Sequence, residues 1–81
     1  MDYVVRTPQQ LGQILKACRK KRQLTQGMVG AKVGVRQAQI SVIETHGADI
    51  TVATLYRLLS ALGLELVLRD RPLRDTSPTE W

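Results

Sequence analysis

The chain's 81 residues, 43% of them hydrophobic, make one small globular domain rather than a disordered polymer. A single cysteine, Cys18, and a single histidine, His46, exclude a disulfide framework and a Cys-based metal site, and they leave no convergent set of groups for catalysis. No apolar run approaches about 20 residues and no charged-then-apolar leader is present, so the expectation is a cytoplasmic protein that is not an enzyme and needs no cofactor.

The net charge of +5 is unevenly placed. Residues 1–36 hold eight Lys/Arg against Asp2 alone, whereas residues 37–81 hold four against six acids. Lys16, Arg19, Lys20, Lys21 and Arg22 cluster together. Such a run is commonly a solvated face. Next to a helix that fits a DNA groove, it reads as a rim for phosphates.

Tyr3-Val4-Val5 is a short β-prone opening. Thr7-Pro8-Gln9-Gln10 reads as a helix start, with Thr7 as cap, Pro8 at the first helical position and Gln10 reaching back to complete a capping box. The first helix runs to about Arg22, with Leu11, Ile14, Leu15 and Cys18 inward. Its closing cations suit the helix dipole, and Cys18 is expected to be a buried small hydrophobe.

Thr25 caps a second, short helix, with Leu24 and Val29 placed as a hydrophobic staple. Gly27 and Gly30 cost about 1 kcal/mol each against Ala there, so Gly30 implies close packing by the helix that follows. Lys32-Val33-Gly34-Val35 is the turn. Gly34 supplies a left-handed backbone and the two valines anchor the turn to the core.

The third helix runs from Arg36 to about Thr45 and ends before Gly47. At 100° per residue, Ile40 and Ile43 mark its buried side. The opposite side shows Ala38, Ser41, Val42 and Thr45, with Gln37 and Gln39 at its edges and Arg36 just ahead. A solvent face ordinarily carries Lys and Glu. This one carries amides, a hydroxyl and small groups. In the DNA major groove, amides pair with adenine, Arg pairs with guanine and small apolar groups meet thymine methyls. The alternative is a polar helix face with no partner.

Thr51 caps a fourth helix, stapled by Ile50 and Leu55 and striped with Leu55, Leu58, Leu59 and Leu62, and Gly63 stops it. Residues 64–69 alternate as a strand with Leu64, Leu66 and Leu68 on one face. An exposed leucine strand invites aggregation unless its edge is paired, so a homodimer joined through this strand is expected. The competing arrangement pairs the strand within the chain to Tyr3–Val5. Residues 71–81 show no periodicity and are expected to be a disordered tail after a folded unit of residues 1–70. The tail carries Trp81, which is either a chance terminus or a partner anchor, Trp being frequent at binding hot spots.

Thr25-Gln26, Gly34-Val35, Gln37, Ile40-Ser41, Ile43-Glu44 and Gly47, with Thr54-Leu55 and Ala61-Leu62-Gly63, resemble the Cro/phage-repressor (Xre-type) helix-turn-helix domain over about residues 9–63. The resemblance makes the third helix the recognition helix. It places Arg36, Gln37, Ala38 and Ser41 on base edges, and gives Gln26 a phosphate contact and a brace for Gln37. Gln39 and Thr45 extend this DNA face, with Lys20 and Lys21 on its phosphate rim. The family often pairs an Arg of the first helix with the Glu ending the third, here Arg19 and Glu44, as a structural contact. Gly30 departs from the family's usual Ala.

Four helices, one C-terminal strand and a tail with Glu80-Trp81 are most similar to HipB-type antitoxins. That likeness implies repression of a shared operon and binding of a HipA-type kinase toxin, with the tail open to proteolysis and Trp81 inserted in a toxin pocket. The expectation is therefore an all-α, lambda-repressor-like dimer on a palindromic operator. A free-standing repressor without a toxin, or an interaction protein using the third helix on protein, are its rivals.

Overall fold

The computed structural model describes residues 1–48 and 50–73. Four helices are present: α1 (Pro8–Lys21), α2 (Gln26–Val33), α3 (Gln37–His46) and α4 (Val52–Ala61). Three begin identically. Thr7, Thr25 and Thr51 hold extended backbone and accept from the N–H three residues on, at 3.1, 3.1 and 3.0 Å, satisfying a donor the helix cannot. Gln10 does reach back, but its Oε1 accepts from Arg6 N at 2.7 Å, one residue beyond the capping position expected for it.

The helix ends also share one grammar. Gln23, Gly34 and Gly63 adopt positive φ of 59°, 78° and 69° after α1, α2 and α4. The N–H of the following residue then bonds back five positions: Leu24 to Arg19 O, Val35 to Gly30 O and Leu64 to Leu59 O. This is the Schellman arrangement, and its apolar final residue turns inward. Leu24, Val35 and Leu64 all pack on the core. The two glycines were readable as stops, whereas Gln23 takes the same backbone conformation with a side chain.

The core is Leu15, Val29, Val33, Ile40, Ile43, Leu58, Leu59 and Leu62, ringed by Leu11, Ile50 and Leu55. Cys18 is buried, as its spacing implied. Hydrogen bonding with the Cys18 side chain, and then its charge, raise the Tyr3 pKa above its ordinary value. α3 lies centrally against both α1 and α2, while α4 packs on α2. Two glycines allow the close approaches. A methyl on Gly12 would sit 2.5 and 2.7 Å from the carbonyl oxygens of Ile43 and Glu44, and one on Gly30 would sit 2.6 Å from that of Val35. Gly30 is thus matched to the turn packed on it.

Residues 64–73 form neither helix nor strand in the single chain. Among the described residues no backbone bond joins residues 64–69 to Tyr3–Val5, so the intrachain pairing does not form. The two segments meet instead through Asp2 and Arg69, at 3.0 Å on the surface. Leu64 belongs to the chain's own core, whereas Leu66 and Leu68 are exposed. Of the three leucines expected at a dimer strand, two are therefore available to a partner. No helix among the described residues is long and apolar enough to cross a membrane.

Candidate nucleic-acid interface

α3 buries Ile40, Ile43 and Glu44 and turns its other side outward. Gln37, Ala38, Gln39, Val42 and Thr45 are exposed and Ser41 is half-buried, the face that helical periodicity assigns. Arg36 is the N-cap residue of α3 but makes no side-chain cap bond. Thr45 is less available than its position suggests, because its hydroxyl donates to Ser41 O at 2.8 Å.

Behind this face runs a continuous set of polar contacts. Arg19 on α1 is buried and grips Glu44 on α3 with two bonds, Nε to Oε2 at 2.6 Å and Nη2 to Oε1 at 3.1 Å. Its Nη1 donates to Leu24 O at 2.8 Å, tying the α1–α2 turn to the same ion pair. Gln26 on α2 donates to Glu44 Oε1 at 3.0 Å, and Gln37 donates to Gln26 Oε1 at 2.9 Å. Three helices therefore share one network, and no buried side-chain polar atom among the described residues lacks a partner. The Arg19–Glu44 pair and the Gln26–Gln37 brace match the expectations drawn from resemblance. The Gln26–Glu44 bond that joins them was missed. It depends on how α2 seats on α3, and no residue pattern along the chain signals it.

Beside the network lies a shallow groove of about 620 Å³, with Lys20, Gln23, Thr25, Gln26 and Gln37 among its lining residues. The basic run divides here. Arg19 faces Glu44, and the Arg22 guanidinium lies against Gly63 at the end of α4. Arg19 is spent on the core, while Arg22 stays exposed beside the end of α4. Lys16, Lys20, Lys21 and Arg22 are exposed, with Lys20 on the groove wall and Lys21 outside it. Gln23 and Thr25 were not anticipated there; the Schellman turn after α1 carries Gln23 to the groove. Trp81 lies outside the described residues.

Two helices joined by a Gly34 turn, with the second presenting an amide-rich face, define a helix-turn-helix unit. Comparison with known proteins agrees: the helix-turn-helix family model HTH_3 matches residues 15–68, and the chain belongs to this family. Within it, the chain is 31% identical over 74 residues to Antitoxin HipB of Escherichia coli (strain K12), spanning 91% of this chain and 84% of that relative. A solved HipA–HipB–O2–O3 complex contains a chain that superposes with a TM-score of 0.78 at 30% identity, covering 88% of this chain and all of that one. The restriction-modification controller protein C.AhdI of Aeromonas hydrophila shares the fold at 21% identity, with a TM-score of 0.68 over 72% of this chain and 88% of its own.

Proposed function

We propose that this chain is a sequence-specific DNA-binding antitoxin. As a homodimer it represses its own operon, and it binds and neutralises a HipA-type serine/threonine kinase toxin. The observation that carries the DNA reading is the Gln37 side chain, exposed on α3 yet fixed from behind by Gln26. An exposed amide held in one orientation costs little entropy to place against a base. Arg36, Gln37, Ala38 and Ser41 meet base edges, with Gln39 and Thr45 extending the face. Lys20, Lys21, Gln26 and the N-terminus of α2 hold phosphates. Dimerisation through Leu66 and Leu68 sets two α3 helices on successive major grooves, about 10 base pairs apart on a palindrome.

The antitoxin half of the proposal is supported by the likeness to HipB, whose solved complexes include one with HipA. Trp81 is its partner anchor. Expressing the chain with the protein encoded beside it tests this directly. Co-purification with a kinase-like partner, weakened when Trp81 is deleted, is expected. A neighbour that does not bind would leave a dimeric repressor without a toxin.

A further inference from the structure

We infer that Glu44 sets the orientation of the Gln37 amide, and that this restricts Gln37 to adenine over guanine. The inference rests on the proposed DNA reading of α3 and adds to it the base and the residue that selects it. The argument begins with what each group is able to do. A carboxylate only accepts, whereas a primary amide has an accepting end and a donating end. Arg19 holds the Glu44 carboxylate with two bonds, so Gln26 must aim its Nε2 at Glu44 Oε1, and it does, at 3.0 Å. That leaves Gln26 Oε1 facing Gln37, and Gln37 must turn its own Nε2 inward, at 2.9 Å. The chemical asymmetry of one buried acid is passed through two amides to the surface.

The consequence is a changed donor count. A free Gln amide offers two N–H donors and can place both on the paired acceptors of guanine, N7 and O6. Gln37 has one N–H committed to Gln26. What remains outward is one donor beside one acceptor, the complement of adenine N7 and its N6 amino group. Against guanine, Gln37 Oε1 would face O6, acceptor against acceptor. Glu44 is thus a positioning residue for specificity, acting through Gln26 without touching DNA.

The test uses binding sites selected from a randomised DNA duplex library by the full chain, followed by Gln37→Ala to find the base pair whose preference depends on Gln37. Adenine is expected there. Another base, or no dependent position, overturns the inference at its first step and removes Gln37 from base reading as well. The adenine-to-guanine affinity ratio at that position is then measured for Glu44→Gln, which can turn either amide end toward Gln26. The same ratio is measured for Gln26→Leu, which cuts the relay but leaves Arg19–Glu44 intact. Overall affinity falls in both. The ratio is expected to drop by roughly fivefold or more, within the discrimination one bidentate contact supplies. Circular dichroism reports folding, and if Glu44→Gln unfolds, Gln26→Leu decides. A ratio unchanged in folded Gln26→Leu would leave Gln37 a base reader while overturning the orienting role of Glu44.

Discussion

The helical unit and the segment after it use the same kinds of residue to opposite ends. Between Pro8 and Leu64 the leucines and isoleucines close on one another, with Ile40 and Ile43 at 1% exposure, and Val42 and Val52 stay outside. From Leu66 onward they do not: Leu68 is 91% exposed. Both stretches are rich in leucine and valine, so hydrophobicity alone does not separate them. Geometry does. A helix offers one stripe that a neighbouring helix covers within the same chain, whereas an extended segment needs a second strand, and the described residues supply none. The first region buries its core within the single chain, and the second leaves its leucines exposed, as the proposed pairing with a second copy requires.

That contrast is open to attack, most heavily from inside the helical unit. Glu44→Ala leaves Arg19 buried without its partner and is expected to cost about 3–5 kcal/mol, enough to threaten a domain whose whole stability is about 5–15 kcal/mol. Thermal unfolding followed by circular dichroism reads the loss, and a melting temperature within two degrees of wild type would show the pair to be dispensable. Ile40→Ala, a cavity at the centre of the core, is expected to cost about 2–5 kcal/mol in a urea titration. Leu66→Glu sharpens the comparison from the other side. It should abolish the dimer in sedimentation at micromolar concentration while a helical monomer persists. A variant that stays dimeric would place the interface elsewhere, and one that unfolds would mean the helical unit is not complete alone. The smallest effect belongs to Lys20→Ala, which should weaken binding to all DNA sequences and flatten the logarithmic salt dependence by about one unit. An unchanged slope would remove Lys20 from the phosphate rim.

Much of this molecule was legible in its residues, for local reasons. The threonine caps, the Gly34 turn and the stripe through Ile40 and Ile43 each depend on neighbours within a few positions, which periodicity and cap chemistry report. What escaped reading depends on distant approach. The Gly12 contact with α3 and the Gln26–Glu44 bond exist only once α1, α2 and α3 have assembled. The basic cluster was only partly legible for the same reason. Of the five neighbouring cations, Arg19 was expected on Glu44 from resemblance, whereas the place of the Arg22 guanidinium beside Gly63 depends on how the helix ends pack. Leu64 likewise looks equivalent to Leu66 by alternation, until the Schellman turn after α4 directs it to the core.

The central claim is that the outward face of α3 reads DNA sequence. Its most direct test compares Gln37→Ala with wild type on a selected site and on random duplex of equal length, by fluorescence anisotropy at fixed salt. The account predicts a loss of about 1–3 kcal/mol on the selected site and almost none on random DNA. Equal losses on both duplexes would contradict it, because Gln37 would then be holding the backbone rather than a base.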